Sequence, residues 1–197
     1  MEKYEEYVPV NIKETIARTY IENPDEAMSA KLSLTLDCKN ENGKMVVYVK
    51  DVKEPVWVIK KEWPKAESIS ERYTKKGYEA VINHEKRREK VYKNAHDVYI
   101  DIVLGNIKKL NYILKDGISI EEGNKKMNEY ITKYYTAALD DAIIYIKKNQ
   151  KEITKECKDA NLIKSKNKIN GIRNAYKIPN ARPTATPKRE DGMFFKD

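Results

Sequence analysis

The sequence predicts an α+β protein: a small antiparallel three-stranded meander packed against a mainly helical body with a long antiparallel helix pair, followed by a flexible basic tail. Three observations predict this class. Apolar and polar residues alternate between residues 30 and 38, which is the two-residue repeat of a half-buried strand. From residue 91 onward, apolar residues recur at three- and four-residue spacing, as on one face of a helix. Beyond residue 160 the apolar pattern thins, and basic residues mix with Asn, Pro, Ser and Thr.

The strand signals predict a sheet over about residues 28–62. After the alternating segment, Asn42-Gly43 supplies turn chemistry and residues 45–49 are rich in β-branched side chains, so the two segments read as a hairpin. Pro55 precedes residues 56–59, the predicted third strand of the meander. Upstream of the sheet, Asn11 and the apolar spacing that reaches Tyr20 predict a short helix.

Two capping boxes organise the helical part, predicted over about residues 66–158. The first is Ser68-Ile69-Ser70-Glu71, and the helical pattern after it continues through Leu110 to Leu114. The second begins at Ser119, and its apolar residues continue to Ile146. Because the link between the two helices is short, we expect them to be antiparallel neighbours.

The length favours one compact domain, residues 1–160, followed by a basic, Pro-containing flexible tail, residues 161–197. Pro179, Pro183 and Pro187 are spaced by fours, which forbids a regular helix there.

The chain's formal charge of +8 is unevenly distributed. Residues 1–63 hold 10 basic and 12 acidic side chains, residues 64–118 hold 12 and 8, and residues 119–160 hold 8 of each. Residues 161–197 hold 9 basic and 3 acidic side chains. A basic segment attached to a nearly neutral body is therefore the predicted charge pattern.

This pattern favours a non-enzymatic protein that binds the phosphate backbone of nucleic acid, DNA or RNA, through a basic C-terminal arm with little sequence readout. In the tail, cationic side chains would contact phosphates and Tyr176 would stack on a base. The alternative is a solvated tail, or one that orders against its own body or a protein partner. The predicted tail contacts are Lys164, Lys166, Lys168, Arg173, Tyr176, Lys177, Arg182, Lys188 and Arg189.

A second group of predicted phosphate contacts lies in a charged helical run. Lys86 and Lys90 share a helix face with Lys93. Glu85 and Glu89 interleave with them, so the alternative is a solvent face that neutralises itself.

A protein-interaction or assembly role is the second hypothesis. Met193, Phe194 and Phe195 contain both phenylalanines of the chain, and an apolar triplet after a polar linker is typical of a docking peptide. The triplet is similar to the hydrophobic-aromatic endings by which replication and transcription factors bind sliding clamps. The alternative is that the triplet folds back on the body. A second predicted docking surface is a tyrosine-rich helix face formed by Tyr130, Tyr134, Tyr135 and Tyr145.

Metal chemistry is the third hypothesis. His96-Asp97, with His84 before and Asp140 after, resembles the His…His-Asp…Asp pattern of HD-type metal phosphohydrolases. The resemblance implies a metal-dependent hydrolase. Asp97 and Asp101 lie one helical turn apart and could hold a cation, although such a pair more often meets nearby lysines. His84 and His96 are predicted on one helix rather than converging from two, so the residues favour no metal and no cofactor.

No nucleotide-binding or hydrolytic motif occurs in the sequence, which favours a protein that is not an enzyme. Residues 1–10 lack the pattern of a signal peptide, and the densest apolar stretch, residues 142–146, is far too short to span a bilayer. Cys38 and Cys157 lie far apart without a CxxC spacing, so a secreted disulfide framework is not expected. These features predict a cytoplasmic protein that contacts no membrane.

Overall fold

The computed structural model describes residues 8–10, 17–64, 75–162 and 186–196. It confirms the α+β class, with a small antiparallel sheet and a helical body. The helices and strands, in chain order, are β1 (Val8–Val10), β2 (Arg18–Ile21), α1 (Pro24–Ala27), β3 (Ser33–Glu41), β4 (Lys44–Lys53), β5 (Ile59–Pro64), α2 (Lys75–Ala95), a π-helix (His96–Ile100), α3 (Asp101–Lys108), β6 (Leu110–Ile113), α4 (Ile120–Leu162) and β7 (Met193–Phe195).

The chain forms two compact units. The first unit contains Met1–Ala27, Val56–Ala95 and Ile144–Asn180. The second unit contains Met28–Pro55, His96–Ile143 and Ala181–Asp197. The single domain expected for residues 1–160 stays a prediction.

The first unit is built on a three-stranded sheet with the order β1-β5-β2. Strand β5 lies in the centre, parallel to β1 and antiparallel to β2. Helix α2 packs against β2 and β5. Trp63 is buried and donates a hydrogen bond from its indole Nε1 to Thr19 Oγ1 at 2.9 Å, which ties the two strands together beneath the helix.

The second unit is built on a four-stranded antiparallel sheet with the order β3-β4-β6-β7. The predicted hairpin is confirmed as β3 and β4. Its turn residues Asn42 and Gly43 have φ values of 53° and 78°, and positive φ at both central positions is the requirement of the tight hairpin turn that Asn-Gly favours.

The third strand of the meander has a different place from the one expected. Residues 56–58, predicted as part of this strand, are not in a strand, and β5 begins at Ile59 and pairs in the first unit. The second neighbour of β4 is β6, which begins at Leu110. The spacing of Leu110, Tyr112 and Leu114 fits the two-residue repeat of a strand, and Leu110 and Leu114 also fit a helical stripe. So short a run does not distinguish the two periods. Leu110, Asn111 and Tyr112 are all buried, so both faces of β6 are covered and pairing with β4 satisfies its backbone.

The helix expected to reach Tyr20 is also replaced by a strand. Tyr20 lies in β2, opposite Lys60 of β5, and β2 alternates between exposed and buried residues. The run of β-branched and aromatic residues at 19–21 favours this extended conformation. Residues 11–16 lie outside the described part of the chain.

The predicted second helix is confirmed as α4. The hydroxyl of Ser119 accepts a hydrogen bond from the backbone N–H of Glu122 at 3.1 Å, so Ser119 caps its N-terminus as the sequence predicts. Its buried face carries Met127, Ile131, Ala138 and Ala142, as the spacing predicts. The capping box at residues 68–71 lies outside the described residues.

Within the described residues, no helix combines the length and the apolar character that crossing a bilayer requires.

Candidate functional site

The predicted nucleic-acid contacts fall into two groups in the structure. The group between Lys164 and Arg182 lies outside the described residues. Lys86 and Lys90 are exposed on α2, one helical turn apart. Lys188 and Arg189 are exposed just before β7, and the Arg189 guanidinium lies 5.1 Å from the centroid of the Phe195 ring.

Charges beside Lys86 and Lys90 are largely neutralised within the first unit. Glu89 pairs with Lys93 on its own helix and, at 3.3 Å, with Lys61 on β5. Burial opposes ionisation of Glu89, but the two lysines outweigh burial and hold its pKa below the usual value. Within the described part of the chain, neither Lys86 nor Lys90 forms an ion pair.

Glu85 differs from the neighbouring charged residues because it is buried, with only 4% of the residue exposed. Burial raises the pKa of Glu85, and the nearby Arg88 guanidinium, 3.5 Å away, only partly offsets this effect. The ionised form of Glu85 is therefore less favourable in the folded protein than in the unfolded chain.

We expect Glu85→Gln to change how stability depends on pH. When the pKa of a carboxyl group is higher in the folded than in the unfolded protein, the protein loses stability as pH rises from the unfolded-state pKa, about 4.3, through the folded-state pKa. The substitution removes this loss, so the variant should gain stability relative to the wild type at pH 7 but not at pH 4. Urea unfolding midpoints of both proteins at the two pH values measure the effect, and an unchanged difference between them would contradict it.

The C-terminal triplet forms strand β7 at the edge of the second unit's sheet. Met193 is buried and pairs with Tyr112, and Phe195 pairs with Leu110. The backbone N–H of Lys196 donates to the carbonyl of Lys109 at 2.7 Å, beyond the strand itself. These residues therefore fold back on the second unit, which is the alternative that the sequence left open. Docking of Met193, Phe194 and Phe195 to a partner stays a prediction.

Ion pairs also hold the approach to β7. Lys126 of α4 lies 3.4 Å from Glu190, and Lys115 lies 3.3 Å from Asp191. These pairs are partly or fully exposed, so each contributes little alone. Together with the strand pairing they show that the last part of the predicted tail, residues 186–196, is an integral part of the second unit.

The tyrosine-rich helix face is not a surface. Tyr130, Tyr134, Tyr135 and Tyr145 are all buried, and the hydroxyl of Tyr134 accepts a hydrogen bond from the Asn106 side-chain amide at 2.9 Å. The expectation that this face meets a partner is wrong, because a tyrosine stripe at helical spacing also serves as core, with the aromatic rings supplying the buried area.

The structure assembles a histidine–carboxylate cluster that differs from the HD-type set. His84 lies on α2 in the first unit, whereas His96 begins the π-helix in the second unit, and Asp140 is exposed on α4. Among the described residues, the side chains grouped closely enough to share a metal ion are Glu54, His96 and Asp101, whose ligand atoms lie within 4.8 Å of one another. We call these three residues and Asp97 the His96 cluster.

His96 is the centre of the cluster, and 1% of it is exposed. Its Nε2 lies 2.9 Å from Glu54 Oε1, and its Nδ1 lies 3.4 Å from Asp101 Oδ1 and 3.7 Å from Asp97 Oδ1. Asp101 can be this close because a π-helix closes its turn between residues five apart rather than four.

Glu54 enters the cluster from the segment after β4, and the residue-based interpretation missed it. Its Oε2 atom is buried and has no hydrogen-bond partner within the described part of the chain. The hydroxyl of the fully buried Tyr135 is in the same situation, and burial, followed by the charge of Glu54, raises the pKa of Tyr135. No local pattern around Glu54-Pro55 distinguishes it from the other surface carboxylates of the sequence.

Comparisons with models of known protein families, with curated proteins and with solved structures found no match, so the functional assignment rests on the geometry and the charges of this chain.

Proposed function

We propose that this chain is a non-enzymatic, nucleic-acid-associated protein that binds the phosphate backbone through its basic C-terminal segment with little sequence specificity. The observation that carries the proposal is the separation of charge. Residues 163–185 contain six basic side chains and no acidic one, whereas the body through residue 160 is close to balanced. Cationic segments of this kind bind phosphates by releasing condensed counterions, which requires no base readout.

The ion pairs among the described residues support this proposal, because they neutralise lysines of the body. Lysines of the first unit's sheet, such as Lys60 with Glu22 and Lys61 with Glu89, lie in ion pairs. Those of the second unit's hairpin do the same, as Lys50 does with Asp37 at 3.0 Å. A phosphate would have to displace an internal partner at these positions.

Lys86 and Lys90 extend the proposed contact surface. They stand one turn apart on α2, and neither has an ion-pair partner among the described residues. Two lysines at this spacing can approach successive phosphates of one strand, because Lys bears a compact charge on a flexible stem. A cytoplasmic location, as the sequence predicts, would expose the protein to nucleic acid.

Substitution, rather than truncation, is the appropriate test, because removal of everything after residue 160 would also remove strand β7. We expect replacement of the six basic residues of 163–185 by Gln to weaken binding to a labelled 30-nucleotide strand at least tenfold at low salt. Fluorescence anisotropy with single-stranded DNA, duplex DNA and RNA measures the loss. The substituted residues are Lys164, Lys166, Lys168, Arg173, Lys177 and Arg182.

A matched control removes the same amount of charge from the body. Six exposed lysines of α4 are changed to Gln, namely Lys125, Lys133, Lys147, Lys148, Lys151 and Lys155. We expect this control to bind within about threefold of the wild type, because its lysines are spread along a near-neutral helix. Equal losses in the two variants would show that net charge alone drives binding and would contradict the assignment to the basic segment.

The protein-docking hypothesis receives no such support from the described residues. Release of β7 would unpair Met193 and Phe195 from β6 and expose the edge of the sheet. We therefore propose the nucleic-acid function alone.

A further inference from the structure

We infer that the His96 cluster binds a divalent transition-metal ion of the Zn²⁺ type, with His96 Nδ1 and the carboxylates of Asp97 and Asp101 as ligands and Glu54 orienting the imidazole. This site is independent of the basic segment and of the proposed binding to nucleic acid. Four side chains with separate tasks support it.

The imidazole is oriented from behind. Glu54 Oε1 lies 2.9 Å from Nε2, so a proton on Nε2 is donated to this carboxylate. Nδ1 then presents a lone pair on the opposite side of the ring. A carboxylate that receives the second ring N–H of a histidine is the usual support of a metal-bound imidazole, since it fixes the tautomer and makes the ligand more basic.

The other side of the ring faces negative charge. Asp101 Oδ1 and Asp97 Oδ1 lie 3.4 Å and 3.7 Å from Nδ1. A lone pair facing two carboxylates is repulsive unless a proton or a metal cation lies between them. Zn²⁺ binds imidazole nitrogen and carboxylate oxygen at about 2.0–2.2 Å, which places neighbouring ligand atoms of a tetrahedral site about 3.4 Å apart. The separation of Nδ1 from Asp101 Oδ1 equals this value, and its separation from Asp97 Oδ1 is 0.3 Å longer.

The surroundings combine a fixed interior with an open entrance. His96 is 1% exposed, whereas the side chains of Asp97 and Asp101 are 55% and 47% exposed. An ion can therefore enter from solvent, and water can complete its coordination. An imidazole among the ligands favours Zn²⁺ or Co²⁺ over Mg²⁺, which prefers oxygen ligands alone.

Two further observations point to the same place. The π-helix interrupts the regular helix at His96, and such turns occur frequently at functional sites because they re-aim side chains at a cost in stability. Behind His96, the Oε2 atom of Glu54 and the hydroxyl of Tyr135 are buried polar atoms with no hydrogen-bond partner in the described part of the chain.

Calorimetric titration of the untagged full chain with Zn²⁺, Co²⁺ and Mg²⁺ tests the inference. We expect Zn²⁺ and Co²⁺ to bind one equivalent and Mg²⁺ to bind at least a hundredfold more weakly. Asp101→Asn should weaken Co²⁺ binding at least tenfold, and because Asp101 is exposed, this variant is expected to fold. Asp140→Asn is the matched control on α4, and it should bind Co²⁺ as the wild type does.

Nitrogen NMR of the histidine rings separates a metal site from a structural ion pair. The chain has two histidines, so His84→Gln leaves His96 as the only imidazole signal. We expect Zn²⁺ to shift Nδ1 of His96, and Glu54→Gln to change the tautomer ratio and weaken binding about 10- to 100-fold. Three results would overturn the inference: no Zn²⁺ binding by the wild type, unchanged binding by Asp101→Asn, or a His96 ring with both nitrogens protonated that does not respond to Zn²⁺.

Discussion

Replacement of Tyr112 by Ala is expected to destabilise the second unit by about 3–5 kcal/mol. Tyr112 is 1% exposed and lies in the middle of β6, opposite Val47 of β4 on one side and Met193 of β7 on the other. The substitution removes a fully buried aromatic ring from the one strand that joins the hairpin to the C-terminal strand. The surrounding residues cannot refill the cavity without moving two strand pairings.

Denaturant unfolding followed by far-ultraviolet circular dichroism measures this loss. Tyr112→Phe is the matched control, because it keeps the ring and deletes only the hydroxyl, and we expect it to change stability by less than about 1 kcal/mol. Both tryptophans lie in the first unit, at positions 57 and 63, so their fluorescence reports that unit separately. A loss below about 1 kcal/mol for Tyr112→Ala would contradict the position of β6 at the centre of the sheet.

Gly192→Ala is expected to release strand β7 from the sheet, with a cost on the order of 2 kcal/mol or more. Gly192 has a φ of 102°, a backbone conformation that side-chain-bearing residues rarely adopt. A Cβ atom at this position would lie 2.8 Å from the carbonyl oxygen of Ile113 and 3.2 Å from the Tyr112 ring. The strain and the contact with backbone act together, so the turn that leads into β7 has to open.

Amide hydrogen exchange detects this release directly. The backbone N–H groups of Ile113 and Lys196 donate to Gly192 and Lys109, and both should lose protection in the variant. Gly43→Ala is a matched control, because Gly43 also has a positive φ, of 78°, but no described atom lies within 4 Å of an added Cβ. Retained protection of these two amides in Gly192→Ala would contradict the pairing of β7 with β6 through the turn at Gly192.

The features that the sequence predicted well are those encoded by neighbouring residues. The hairpin follows from the alternation before residue 39 and from Asn42-Gly43, and the start of α4 follows from Ser119 and Glu122. Local turn and cap chemistry determines both, so no distant partner had to be known.

Strand pairing between distant segments was not predictable in this way. Strand β5 follows the hairpin in sequence but pairs with β1 and β2, and β4 pairs instead with a strand more than fifty residues further on. The apolar triplet at 193–195 looks like a docking peptide because no local pattern shows that β6 needs an outer neighbour. Tertiary pairing decided these positions.

The candidate sites divide in the same manner. The shared helix face of Lys86 and Lys90 follows from their spacing, and the surplus of charge in residues 163–185 can be counted from the sequence. The sequence pointed to His96, Asp97 and Asp101 but not to their meeting with Glu54, because Glu54 lies forty-two residues before His96. A helix of regular period would also turn Asp101 away from His96. The π-helix brings Asp101 close to His96, and no pattern in the sequence predicts this π-helix.

The salt dependence of nucleic-acid binding tests the central proposal most directly. If the six basic residues of 163–185 each neutralise one phosphate, the slope of log K against log salt for a single strand should be about 4 units steeper in the wild type than in the six-Gln variant. The α4 control, which has lost the same charge, should keep nearly the full wild-type slope. Equal slopes for the wild type and the six-Gln variant would contradict phosphate binding by the basic segment.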